Sequence, residues 1–150
     1  MFLSLFIVNQ SGGLVYHRPL SQLAPKIDTN DWLRIGSTFH SLHCLAAEAA
    51  PVRLPKNKNP RTGADDGIEV IDAGGMILQC LQTRTGMKFV ITSTTTKEDL
   101  SDVLREVCLL YVDCALKNPF YELDMPIKVD LFNRGVDLLV EQYHSSGGRR

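Results

Sequence analysis

The stretch from Gly67 to Ser93 constrains the fold more than any other part of this sequence. Ile68-Glu69-Val70-Ile71-Asp72-Ala73 precedes Gly74-Gly75, a pair able to take positive φ without steric cost. Met76 to Thr83 follows, with Met76, Leu78 and Cys80 on one face and Ile77 and Leu81 on the other. Arg84-Thr85-Gly86 supplies a second hairpin turn, and Met87 to Ser93 returns, rich in β-branched residues. This is a three-stranded meander. Apolar residues occupy both faces of its last two strands, so the sheet should be covered on both sides.

The flanking segments supply two more strands and the covers. Phe2 to Asn9 reads as a central strand, Gln10 to Gly13 as a turn, and Leu14 to His17 as the partner strand. After a loop from Arg18 to Thr29, Asn30 or Asp31 is placed to cap a helix ending near Ala49. Trp32, Ile35, Phe39, Leu42, Ala46 and Ala49 recur at helical steps along it, and Leu33, Leu45 and Ala50 widen the apolar surface. One helix on one sheet face does not need so much. Pro51 to Asp66, with three prolines and four basic residues, reads as a solvated loop. Thr95 and Glu98 form a capping-box pattern opening a helix to about Lys117, with Leu100, Val103, Leu104, Val107, Cys108, Leu110, Tyr111 and Cys114 inward. Asn118-Pro119 should stop it, Asn118 in the left-handed conformation, with Phe120 and Tyr121 pinning the connector to the core. A last helix runs from about Lys128 to Tyr143, and residues 144–150 read as a frayed tail.

The order is therefore β-β-α-β-β-β-α-α: an α+β fold with one antiparallel sheet, one helix on one face and two on the other. At 150 residues the chain fits a single domain, placed here at 1–143. Its 44% hydrophobic and 22% charged residues are ordinary for a globular protein, and a net charge of −1 offers nucleic acid no footprint. Cys44, Cys80, Cys108 and Cys114 form no C-x-x-C pair and sit in apolar periodic segments, which reads as reduced core thiols of a cytosolic protein. Met1 to Val8 lacks the basic flank and small-residue cleavage site of a signal peptide, so a buried strand is expected there.

Chemistry is hard to find in this sequence. His40 and His43 lie three apart and share a helix face, but no third ligand is close, and a hydrogen-bonded packing histidine is expected. Gly12-Gly13 and Gly74-Gly75 belong to hairpins and lack the following helix of a phosphate loop. No nucleophile has a neighbouring base. No catalytic, cofactor-binding or metal-binding residue is assigned, and no cofactor is expected.

The junction after the second helix is more specific. Ala115-Leu116-Lys117-Asn118-Pro119-Phe120-Tyr121, with Pro126-Ile127 and Phe132, resembles the signature of the TRAPP small-subunit family, whose members have a longin (profilin-like) fold. The hairpin Val8-Asn9-Gln10-Ser11-Gly12-Gly13-Leu14-Val15-Tyr16 agrees, as do Phe39-His40-Ser41-Leu42, Gly67-Ile68-Glu69 and Gln82 to Val90. The synbindin branch of that family is the most similar. It often carries a PDZ-like insertion between second strand and first helix, where this chain has only Arg18 to Thr29. The resemblance implies the strand order second, first, fifth, fourth, third. It also implies a non-catalytic core subunit of a vesicle-tethering complex in ER-to-Golgi and Golgi transport. Such a subunit would be cytoplasmic and peripheral at cis-Golgi and endoplasmic reticulum membranes. Its partners would be other TRAPP subunits and, through the assembly, a Rab GTPase undergoing nucleotide exchange.

Two alternatives belong to other classes. Another longin module, an adaptor-complex small chain or a SNARE regulatory domain, is one, although a SNARE would need a long heptad helix after the domain. A small enzyme on a similar scaffold is the other. In the TRAPP reading, the implied strand order makes Ile68 to Ala73 a sheet edge with little polar cover. That edge and the surplus apolar face of the first helix give the expected partner interface: Leu45, Ile68, Val70 and Ile71.

Overall fold

A computed structural model describes residues 1–50, 67–94 and 100–147. Five strands, β1 (Phe2–Val8), β2 (Leu14–Pro19), β3 (Val70–Asp72), β4 (Met76–Gln82) and β5 (Lys88–Thr94), form one antiparallel sheet in the order β2-β1-β5-β4-β3. This is the order implied by the family resemblance. The long-range contact that decides it is β1 against β5, with Leu5 opposite Ile91 and Ile7 opposite Phe89. Met1 joins this pairing through its carbonyl, which accepts the Thr94 N–H at 2.9 Å.

Strand alternation sends odd and even residues of β1 and β5 to opposite sides. Leu5, Ile7, Phe89 and Ile91 face α2 (Ser101–Tyr111) and α3 (Asp130–Gly147), whose Val103, Leu104, Val107, Phe132 and Val136 complete the larger core cluster. Phe6, Val8 and Val90 face α1 (Thr29–Ala49), which contributes Trp32 and Phe39 to the smaller one. Burying each side chain of this size stabilises by about 1.5–3 kcal/mol, so both layers matter. The two clusters are the reason for apolar residues on both faces of β5.

Polar side chains lock the joints. Asn9 Oδ1 accepts the Ser11 and Gly13 N–H groups at 3.1 and 2.7 Å, which builds the β1–β2 turn. Gln79 of β4 accepts the Leu100 N–H at 3.1 Å and donates to Ser101 Oγ at 2.8 Å, so the sheet itself caps α2. The expected capping box at Thr95 and Glu98 lies outside the described residues, as does the expected loop from Pro51 to Asp66. Tyr16 donates to Asn133 at 2.9 Å, and Arg18 pairs with Asp137 at 2.7 Å, tying β2 to α3.

Several boundaries differ from the sequence reading. Asp28, not Asn30 or Asp31, is the N-cap of α1, with its carbonyl accepting the Trp32 N–H at 3.0 Å. β3 is only three residues long, and Ile68 lies before it. α2 ends in a π-helical turn, Val112–Leu116, closed by Lys117 N–H on the Val112 carbonyl at 3.1 Å. Asn118 does not take a positive φ; among the described non-glycine residues only Asp124 does, at 66°. Asn118 acts instead through its side chain, whose Oδ1 accepts the Phe120 N–H at 3.0 Å. α3 continues through 144–147, where a frayed tail was expected.

Candidate functional site

Among the described helices, α1 alone crosses the sheet face of Phe6, Val8 and Val90. Its buried line is Trp32, Gly36, Phe39 and His43, with Ile35, Ala46 and Ala47 half-buried beside it. Leu42, assigned inward by its spacing, is 48% exposed, and His43 takes the inward position one residue along. Leu45 is 61% exposed one turn further on, with Ala49 also outward. Leu42, Leu45 and Ala49 recur at three and four residues, so α1 carries a second, solvent-facing apolar stripe.

His43 explains how β3 is set against this helix. Its Nδ1 accepts the Ile68 N–H at 3.2 Å, so the ring carries its proton on Nε2 and donates to Gln82 Oε1. Both ring nitrogens are therefore engaged, as expected of a packing histidine. Burial is the main cause holding the His43 pKa below its ordinary 6.5, with the Gln82 hydrogen bond opposing it. A Cβ at position 67 would overlap the His43 ring, so only glycine lets the chain pass there.

The four expected interface residues divide into two groups. Ile68 and Ile71 are half-buried, packed with Leu78 against the α1-side core. Leu45 stands exposed on the same side of the sheet. Val70 alternates to the opposite face and is 53% exposed. The structure thus brings Leu45, Ile68 and Ile71 to one side and puts Val70 on the other.

Among the described residues β3 is an edge, paired with β4 only. The Glu69 carbonyl and the Ala73 N–H bond to β4 at 2.8 and 2.9 Å, which leaves the intervening backbone groups of Val70 and Asp72 pointing away from the ladder. A short edge with outward N–H and C=O groups, beside exposed apolar side chains, can receive an added strand or helix.

Phe120, expected to pin the connector, is 94% exposed, and Tyr121 alone does that work, donating to the Met125 carbonyl at 2.7 Å. All four cysteines are free, but Cys44 is exposed and is no core thiol. Cys80 is buried, which raises its thiol pKa to about 12. Lys88 is an unforeseen feature: it is buried on β5 among residues from α1 and the β1–β2 and β4–β5 turns. Alternation placed it inward with Val90, but a lysine in an apolar run reads more readily as a strand end. Among the described residues, no helix is long and apolar enough to cross a membrane.

Comparison with known proteins adds a family to this geometry. A family model described as the Sybindin-like family matches residues 2–143. A Dictyostelium discoideum protein named trafficking protein particle complex subunit 4 is 39% identical over 137 residues, spanning 91% of this chain and 94% of that protein. The Homo sapiens protein of the same name is 33% identical over 123 residues, which is 82% of this chain but only 52% of the human protein. The chain thus spans about half the length of that relative. A Dictyostelium discoideum trafficking protein particle complex subunit 1 is 21% identical over 147 residues.

Proposed function

The chain belongs to the sybindin-like family, and from that premise we propose that it is a non-catalytic subunit of a TRAPP vesicle-tethering assembly. It acts in ER-to-Golgi and Golgi transport. Its place is the cytoplasmic surface of cis-Golgi and endoplasmic reticulum membranes, held there by the assembly and not by a span of its own.

The observation that supports this reading is the face shared by α1 and β3. Leu42 and Leu45 stand 48% and 61% exposed on the helix, and the β3 edge, whose Ile71 joins the same α1-side cluster, carries outward backbone groups. Obligate interfaces commonly bury more than ~2,000 Å², enough to cover such a stripe and edge together. Leu45, Ile71 and Ile68 lie on this proposed contact with a neighbouring TRAPP subunit. Val70 takes part through its backbone and not through the same side-chain surface.

Catalytic chemistry is not required for the role. An assembly promotes nucleotide exchange on a Rab GTPase when it binds the nucleotide-free form more tightly than the loaded form, since only differential affinity shifts an equilibrium. This chain contributes part of that binding surface and the neighbouring contacts that hold it in place. The test is purification of the tagged chain from its native cells with mass spectrometry of what accompanies it. Recovery of the other TRAPP subunits in fixed ratio is expected. Recovery of adaptor-complex chains in their place would overturn the reading.

A further inference from the structure

Lys88 occupies a position where a neutral side chain would be easier to bury. It lies on β5 between β1 and β4, opposite Val8 and Gln82, and is 3% exposed. Its Nζ donates to the Gly86 carbonyl at 3.3 Å, and among the described residues no carboxylate forms an ion pair with it. Burial pushes its pKa down, the response of an ammonium short of counter-charge. A buried charge without a partner is costly, and such groups are ordinarily paired.

This lysine lines a cleft of about 580 Å³ under the C-terminal half of α1, between the β1–β2 and β4–β5 turns. Gln10, His40, Gln82, Arg84 and Thr85 line it as well, and among the described residues no Asp or Glu does. Gln82 Oε1 is occupied by His43, which leaves its amide N–H groups as donors. His40 Nδ1 is buried without a hydrogen-bond partner. The wall is therefore rich in donors, holds two full positive charges, and contains two polar groups whose bonding is incomplete.

We propose that the Lys88 cleft is a carboxylate-binding site, with Lys88 as the buried counter-charge and Arg84 at the rim. The charge balance argues for a monoanion over phosphate. Ala47 of the lining belongs to the last turn of α1, and a helix C-terminus carries partial negative charge. A dianionic phosphate would be opposed there, and no helix N-terminus among the described elements contributes N–H groups to this wall. An acidic side chain of a bound polypeptide and a free small carboxylate share the required chemistry. The proposal does not depend on the TRAPP reading.

Amide chemical shifts of the full-length chain, titrated at constant ionic strength, provide the test. The probes are acetate, a capped hexaglutamate peptide and inorganic phosphate. Saturable shifts at Gln10, Gly86 and Lys88 are expected with a carboxylate probe, weakened about tenfold or more in Lys88→Met. Arg84→Gln, at an exposed position, should weaken them less and serves if Lys88→Met does not fold. Binding of the peptide alone identifies an acidic side chain as the source; binding of acetate as well identifies a free carboxylate. The proposal is overturned if neither carboxylate binds saturably, if the variants bind as tightly as the wild type, or if phosphate binds more tightly than both.

Discussion

Replacing His43 by alanine should destabilise the protein by about 2–4 kcal/mol. The ring is 4% exposed, lies tilted against Phe39 with the ring centroids 6.0 Å apart, and satisfies the Ile68 N–H at the entry to β3. Large-to-small changes in a core cost about 2–5 kcal/mol, and a buried donor left without its acceptor adds about 1–3 kcal/mol. The polar ring was itself costly to bury, which offsets part of that sum and brings the expected net cost down to about 2–4 kcal/mol. In a domain of this length, a loss of this size lowers Tm by roughly 5–15 °C. Gly67→Ala attacks the same joint from the other side, because its Cβ would displace the ring. Its cost should not add fully to that of His43→Ala in the double variant, since alanine at 43 removes the clash.

The same joint should respond to pH. His43 has a folded pKa below 6.5 chiefly through burial, so near pH 6 the unfolded chain binds the proton that the folded chain refuses. Stability is then fully present above 6.5 and declines as pH falls toward the folded value. Protonating Nδ1 removes the acceptor for the Ile68 N–H, which gives the decline its structural cause. His17 and His40 are also held low by burial, so the contribution of His43 is the difference between wild type and His43→Ala. Urea unfolding at pH 7.5 and 5.5 measures it. A variant as stable as wild type, or one with an unchanged pH slope, would refute the argument.

Other expectations follow from single features. Phe132, fully buried against Tyr16 at 4.8 Å, should cost about 3–5 kcal/mol on replacement by alanine, measured by denaturant unfolding. Tyr16 and Tyr121 are pushed up to about 12, mainly by burial, so absorbance titration should show them ionising later than free tyrosine. The stability they lend is present below pH 10 and is lost as pH rises through about 12. A thiol reagent should modify Cys44 first in the native protein, and all four cysteines without reductant once denatured. Finding fewer than four would indicate a disulfide.

The hairpins were readable because turn residues and period-two patterns are local signals. Asn9 to Gly13, Gly74-Gly75 and Arg84 to Gly86 each sit where the structure turns. The β1–β5 pairing joins residues 80 or more positions apart, and no local pattern specifies it; the family resemblance did. The helix stripe holds at Trp32, Ile35, Phe39 and Ala46 and slips at Leu42, which was preferred to its neighbour His43 because leucine is more hydrophobic than histidine. His43 is nevertheless inside, for it alone can bond both Ile68 and Gln82. Phe120 and Tyr121 are adjacent and equally plausible anchors, and only the connector's path decides between them. Lys88 was missed because a sequence does not display which lysines lack room to reach water.

The central claim is that the exposed stripe of α1 and the edge beside it bind a neighbouring subunit. Its most direct test is size-exclusion chromatography with light scattering on the chain co-expressed with TRAPP partner subunits. Wild type and the double variant Leu42→Glu, Leu45→Glu are compared, after circular dichroism has confirmed that both fold; the two positions are exposed, so folding should survive. The account predicts that wild type elutes in a stable complex and that the double variant elutes alone. A folded double variant that assembles with unchanged affinity would contradict it.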